Sequence, residues 1–435
     1  MRPATDPVPE STLESTRRTV YAWAFYDWAN SAFATTVMAG FFPLFFKQYW
    51  NSGVADTVST FRLGMANSIA SLIVVLLAPL LGAIADHMDR RKGFLLLFSM
   101  LGVVMTGALH FVAAGDWQLA AFCYVLAVLG FSGGNLFYDA LIVFVARPAQ
   151  FDRVSALGFG LGYLGGGVLF AVNVLMVLHP DWFGLADKSA AVRVSFLSVA
   201  VWWAVFALPL LLNVHEPRAA QPVRLGAAIR SGFGQLRHTL REIGRLPQTF
   251  LFLVAYWLYI DGVDTIIRMA VDYGLSLGFP SNSLIVALLI TQFVGFPAAI
   301  AFGRLGGRIG ARNGILIALG VYAAVTAWGA FMNAVWEFYL LAAVIGLVQG
   351  GVQSLSRSLY ARLIPVGRSA EFFGFYNMLG KFAAVLGPVL MGWVGVLTGS
   401  PRLGILSVLV LFVLGAALLL RVDMERGLRD AGRPA

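Results

Sequence analysis

The sequence predicts an all-α integral membrane protein with twelve transmembrane helices in two pseudo-symmetric six-helix lobes. Three observations predict it. Apolar runs long enough to cross a membrane recur along the chain, a polar stretch divides them six and six, and a short motif is repeated in both halves. Of the 435 residues, 59% are hydrophobic and 12% charged, and the mean hydropathy is +0.79. A soluble chain of this length needs a far more polar surface. A run of roughly 20 apolar residues, by contrast, crosses about 30 Å of hydrocarbon as a helix.

The spans fall at 20–49, 61–85, 94–114, 117–146, 154–178 and 194–214, then at 249–273, 281–303, 312–333, 336–363, 371–398 and 402–421. Gly and Pro inside several of them allow close approach or local kinks, with freed backbone groups met by neighbouring helices. The opening MRPATDPVPESTLESTRR lacks the apolar core of a cleaved signal, so the first helix is expected to stay. This gives a cytoplasmic tail 1–19, a lobe 20–214, a linker 215–248, a lobe 249–421 and a tail 422–435. In the linker, Arg230, Arg237, Arg241 and Arg245 among Ile229, Phe233, Leu236, Leu240, Ile243 and Leu246 predict an amphipathic helix at the inner interface.

Charge placement orients the chain. With both termini on one side, that side receives 23 of the 31 basic residues. The other receives 5 (Lys47, Arg62, Lys188, Arg193 and Arg402), and 3 lie within spans. This bias predicts cytoplasmic termini. It also assigns the net charge of +9 to anionic lipid headgroups rather than to nucleic acid.

The repeat ties the halves together. GAIADHMDRRKG (82–93) follows the second span and GRLGGRIGARNG (303–314) follows the eighth. Gly82, His87 and Arg91 match Gly303, Arg308 and Arg312, each 221 positions apart. Gly133, Gly134 and Pro148 match Gly350, Gly351 and Pro365 at a spacing of 217. A duplicated six-helix unit is the framework of a rocker-type secondary transporter.

Polar residues inside the spans are the candidate binding or coupling groups, because each is costly in hydrocarbon without a partner. Asp27 and Asn30 share a face of the first helix, as do Asn135 and Asp139 on the fourth. Depth and topology put Asp139 opposite Arg357 when the inner side closes. On the seventh helix Asp261, Asp264, Arg268 and Asp272 form one stripe. Asp264 and Arg268 can pair, leaving Asp261 near mid-membrane as the proton-coupling candidate, with Asp27 at the inner gate. Lys381 is equally deep and is expected either to bridge an acid such as Asp261 or to bind solute. Gln349, Gln353 and Arg357 share a face and can offer donors to a solute carboxylate. Tyr26, Trp257 and Tyr259 are candidate aromatic walls, although Trp and Tyr also anchor spans at interfaces.

Enzyme classes are poorly served. No G-x-x-x-x-G-K-S/T is present for ATP, so active transport must draw on a gradient or another subunit. GFGLGYLGGG (158–167) lies within a span and reads as a helix-packing surface, not a dinucleotide loop. The five histidines form no ligand cluster, and the sole cysteine, Cys123, excludes an intrachain disulfide or a cysteine-cluster metal site. Neither a cofactor nor a metal is expected.

The repeated loop resembles the signature of the major facilitator superfamily, G-x-x-x-D-R/K-x-G-R/K-R/K. Gly82, Asp86, Arg90 and Arg91 keep it, with His87 and Asp89 replacing a basic residue and a glycine. The second copy keeps Gly303, Arg308, Gly310 and Arg312 but has Gly307 in place of the acid. YDWANSAF (26–33), GFGLGYLGGG, YIDGVDTI (259–266) and FFGFYNMLGKFAAVLGP (372–388) are similar to the branch of fungal vacuolar amino-acid effluxers and their bacterial permease relatives. The resemblance implies that helices 1, 4, 7 and 10 line a central cavity, that the repeated loops gate the inner side, and that a small solute is moved by alternating access. Amino acids or similar zwitterions are the implied export substrates, protons the coupling ion, and a monomer in a bacterial cytoplasmic membrane the working unit. The alternatives are an exporter of drugs or amphiphiles and a non-transporting receptor or assembly protein on the same scaffold.

Overall fold

The computed structural model describes residues 16–54, 56–216 and 244–432. Most of the expected amphipathic linker helix lies outside the described residues, as do the side chains of Arg268, Asp272 and Lys381. The membrane helices are α1 Arg17–Trp50, α2 Asp56–Met88, α3 Arg91–Ala108, α4 Trp117–Ala140, α5 Phe151–Leu178 and α6 Lys188–Asn213. The second set is α7 Pro247–Ser276, α8 Ser281–Ile309, α9 Ala311–Gly329, α10 Val335–Leu363, α11 Ser369–Thr398 and α12 Pro401–Leu420, followed by a short α13, Met424–Asp430. Eleven stretches among the described residues are apolar and long enough to cross a membrane, and α11 adds a shorter one, Leu386–Thr398. Large apolar side chains such as Leu97, Leu212, Trp393 and Val396 are exposed on outer faces, where hydrocarbon replaces water as the solvent.

Local chemistry sets the ends and irregularities of these helices. Thr16 and Asp187 cap α1 and α6 by accepting from the amides of Thr19 and Ala190. Within α1, Phe33–Phe41 and Phe46–Trp50 wind as π-helix, with the Phe42 amide reaching back to the Val37 carbonyl. Pro43 follows the first stretch; its ring crowds the carbonyl four residues back, and the wider winding relieves that contact. Pro79, Pro209, Pro297 and Pro388 sit inside α2, α6, α8 and α11.

Two lobes meet along matching pairs: α2 packs on α11, and α5 on α8. Gly82 and Gly303 make these approaches possible. A Cβ on Gly82 would lie 2.9 Å from the Glu371 Cα, and one on Gly303 would press on the Ala156 methyl group. α5 also meets α10 and α4 meets α11, whereas α1 and α7 share no comparable packing among the described residues. The lobes are therefore drawn together at the end that carries the basic loops.

Candidate functional site

A cavity of about 200 Å³ lies between the lobes. Asp27 of α1, Asn135, Tyr138 and Asp139 of α4, and Phe159 of α5 face it from one lobe. Tyr256 and Asp264 of α7, Gln353 and Arg357 of α10, and Tyr376 and Asn377 of α11 face it from the other. The cavity is thus lined by α5 and α11 as well as by the four helices expected from sequence.

Arg357 forms the floor and is 2% exposed. Its Nε donates to Ser155 Oγ at 2.8 Å, and Nη2 donates to the Ser155 carbonyl at 2.9 Å. Nη1 donates to Asp139 Oδ1 at 3.0 Å, and both η nitrogens point at Asp27 Oδ2, at 3.4 and 3.5 Å. Arg357 belongs to one lobe, and each of these acceptors belongs to the other. The guanidinium also lies 4.3 Å from the Phe159 ring centre, 4.9 Å from Trp23 and 5.2 Å from Tyr138. Such faces stabilise a desolvated cation. A buried cation needs this full set of partners, because leaving one unmet costs several kcal/mol.

The acids are braced in turn. Tyr138 donates its hydroxyl to Asp27 Oδ2 at 2.8 Å, and Asn377 donates to Asp139 Oδ2 at 3.3 Å. The Asn30 amide donates to Asn135 Oδ1, linking α1 to α4 inside one lobe. Tyr163 donates to Gln353 Oε1 at 3.0 Å across the lobes, and Tyr256 stacks on Tyr376 with centres 4.1 Å apart.

Other sequence candidates fall elsewhere. Trp257 is half-buried and absent from the cavity lining, where its neighbour Tyr256 stands instead. Tyr26 and Tyr259 are buried inside their lobes, bonded to Ser99 and Ser356 at 2.8 and 2.7 Å. Asp261, expected to be the coupling acid, also lies off the cavity lining. Its carboxylate accepts the backbone amides of Leu386 and Gly387 in α11, at 3.1 and 2.8 Å, and the Thr265 hydroxyl at 3.3 Å. Pro388 explains that geometry. It follows both amides in α11, and a proline there lacks the amide that would meet the Ala384 carbonyl, which loosens the regular ladder beside Asp261. Asp264 lines the cavity; the side chains of Arg268, its expected partner, and of Lys381, expected to bridge an acid such as Asp261 or to bind solute, lie outside the described residues.

The repeated loops form a second, shallower layer. Asp86 accepts the amides of Ala370 and Glu371 at 3.1 and 2.7 Å, so an acid from α2 caps the N-terminus of α11. Arg91 braces it at 2.6 Å, and Glu216 holds Arg91 at 3.0 Å while accepting the first amides of α3. Arg90 and Arg308 are exposed and take no part in this network. In the second copy Arg312 donates to the Val422 carbonyl at 2.9 Å, and Gly307 leaves no acid to cap α5. There Arg362 of α10 holds Asp152 of α5 instead. Gly310 has φ +84° and its counterpart Asp89 has φ +46°, but the second loop turns through Gly310 alone and the first through Asp89 and Arg90.

Sequence reasoning missed Ser155, Asp152, Arg362, Tyr138, Asn377 and Glu216. Ser and Tyr are common in membrane helices, and Asp152, Arg362 and Glu216 read as loop charges. Only the matched motif loops signalled that these ends meet.

The family described as "Vacuole effluxer Atg22 like" matches residues 15–432. The protein named "Uncharacterized MFS-type transporter YxiO" of Bacillus subtilis (strain 168) is 38% identical over 406 residues, covering 93% of this chain and 94% of its own. Autophagy-related protein 22 of Yarrowia lipolytica is 24% identical over 452 residues, covering 84% of this chain and 76% of its own. Among solved structures, the human organic anion transporter MFSD10 superposes with a TM-score of 0.69 at 17% identity, over 93% of this chain and 99% of that one. FucP in the outward conformation gives 0.70 at 12% identity, over 93% and 98%. At these identities the superpositions speak for the fold.

Proposed function

Because the chain belongs to the Atg22-like vacuole effluxer family of major facilitator transporters, we propose that it moves amino acids or similarly small zwitterions by alternating access around Arg357. At the coarser level it is a multi-pass membrane protein and a secondary-active transporter of a small solute, not an enzyme. The observation that carries the finer reading is the floor of the cavity. One lobe's guanidinium closes the site by donating only to the other lobe's acceptors. Parting the lobes toward the basic end breaks all of these bonds at once, so Arg357 acts as the bolt of that gate.

Cavity size favours a small solute over the alternative of a drug or amphiphile. A volume of about 200 Å³ is below the roughly 300–1,000 Å³ of sites for drug-sized ligands. Donors and acceptors from Asn135, Gln353 and Asn377, with the Tyr256 and Tyr376 rings, suit a polar molecule with a modest side chain. We assign proton coupling to Asp27 and Asp139 rather than to Asp261. A proton on either carboxylate removes a charge from the Arg357 bolt, so acidification on the gated side favours opening. The basic-loop bias supports cytoplasmic termini, and the Bacillus relative supports a bacterial plasma membrane.

Counterflow in sealed proteoliposomes tests this reading. Each of the twenty common amino acids is loaded inside and exchanged for its labelled form, with a drug and amphiphile panel alongside. Saturable exchange of at least one amino acid is expected. Exchange confined to the amphiphiles would reject the substrate class, and no exchange by folded protein would reject transport of these solutes altogether.

A further inference from the structure

We propose that Asp27 occupies, in the empty carrier, the position on Arg357 that a solute carboxylate takes during transport. The proposal rests on reading Arg357 as the bolt between the lobes, and it narrows the substrate class to small carboxylate-bearing solutes. The geometry of the guanidinium carries it. Three of its contacts are well made: Ser155 Oγ at 2.8 Å, the Ser155 carbonyl at 2.9 Å and Asp139 at 3.0 Å. The fork between the two η nitrogens is poorly filled. A single oxygen, Asp27 Oδ2, sits before it at 3.4 and 3.5 Å, and the same oxygen also accepts the Tyr138 hydroxyl.

A guanidinium fork is best met by two carboxylate oxygens in its plane, at about 2.7–2.9 Å. The protein builds that arrangement nearby, where Arg362 takes both oxygens of Asp152 at 2.8 and 3.0 Å. Asp27 offers one oxygen at longer range. Its backbone is fixed in α1, and Tyr138 holds the oxygen that faces the fork. A free carboxylate in the adjoining cavity has neither constraint. Asp27 and Arg357 both line that cavity, so a solute carboxylate held there lies beside the fork. The Trp23, Tyr138 and Phe159 rings and Ser155 keep the guanidinium in place while its carboxylate partner changes. Tyr138 can retain Asp27 after it leaves the fork.

Exchange of one carboxylate for another keeps an acceptor before the Arg357 fork at each stage. It also explains why the acid is there. Without solute, Asp27 keeps Arg357 engaged and holds the lobes closed; with solute, the link from Arg357 to α1 passes to a mobile molecule.

The test compares binding of the twenty common amino acids, and of the decarboxylated amine of each, to the purified full chain. Asp27→Asn removes the competing charge. The amino acid that binds wild type best is expected to bind this variant about tenfold more tightly, since bonds to charged groups contribute about 1.5–3 kcal/mol, while its cationic amine, with no carboxylate for the fork, binds no more tightly. Asp27→Glu keeps the charge with a longer reach, and is expected to bind the amino acid more weakly than wild type. Equal effects on amino acid and amine, or tighter amino-acid binding by Asp27→Glu, would overturn the exchange while leaving transport standing. If wild type neither binds nor moves any of the twenty, the functional reading and this inference fall together.

Discussion

Arg362 on α10 holds Asp152 on α5 by two parallel bonds, Nη1 to Oδ1 at 2.8 Å and Nη2 to Oδ2 at 3.0 Å. Ser358 of α10 also donates to Asp152 Oδ1, at 2.5 Å. Deeper along the same crossing, Arg357 grips Ser155. The contact between α5 and α10 is therefore built in two tiers. The deep tier touches the cavity between the lobes and the shallow tier does not, so each can be loosened separately.

Asp152→Asn should loosen the shallow tier alone. It keeps an acceptor for Ser358 but loses the charge and the paired geometry that Arg362 matches. In a background with Cys123 replaced by Ala, a cysteine at buried Ser354 should label from the basic end about tenfold faster, a shift of roughly 1.4 kcal/mol. Amino-acid affinity should stay as it is. An unchanged labelling rate removes Arg362 and Asp152 from the gate.

Gly82→Ala should prevent the close approach of α2 and α11. Its methyl group would sit 2.9 Å from the Glu371 Cα and closer still to the Ala370 carbonyl, backbone atoms that cannot swing aside. Asp86 would then lose the amides that it caps. Flux in proteoliposomes should fall at least about tenfold, the equivalent of roughly 1.4 kcal/mol, with normal insertion. Wild-type flux would mean that α2 and α11 part enough in every working state to hold a methyl group.

Asp261→Ala should destabilise the fold and leave coupling intact. One buried and one part-buried amide of α11 lose their acceptor, at about 1–3 kcal/mol for the buried one. The apparent Tm in detergent should drop by several degrees, while the ratio of protons to solute moved stays constant. Loss of proton movement with an unchanged Tm would return the coupling role to Asp261.

Asp89→Gly isolates the cost of a turn. A left-handed backbone costs a residue bearing a Cβ on the order of 1 kcal/mol, less for Asp than for most. Against that stands a 3.3 Å contact from Arg91 to a carboxylate that is 37% exposed, which adds little. A small rise in apparent Tm is expected. A fall would show that Arg91 depends on Asp89 for its own placement.

The helices were legible because hydrocarbon length and backbone satisfaction leave few ways to arrange such a sequence. Expected and observed ends differ by six residues at most, and by that much at the ends of α3, α4 and α8 and at the start of α6, which carries Lys188 and Ser189 ahead of the apolar run. Asp139 and Arg357 could be placed opposite each other because both are charged, deep and on helices that face the middle. The surroundings of Asp261 were not legible: its partners are amides of the backbone, which leave no mark in a sequence beyond the nearby Pro388. Charge alone says where an acid is costly, not which donor meets that cost.

The π-helical winding of α1 leaves spare length in that helix. A turn closed over five residues holds more chain than one closed over four, so Phe33–Phe41 is a reservoir of residue count. Deleting one residue there lets the run tighten to ordinary α winding and absorbs the loss on the spot. The same deletion in evenly wound α4 would turn everything beyond it through about 100°. Natural variants of this chain can thus gain or lose a residue in the outer half of α1 without re-aiming Asp27 and Asn30, and that stretch is where length variation should collect.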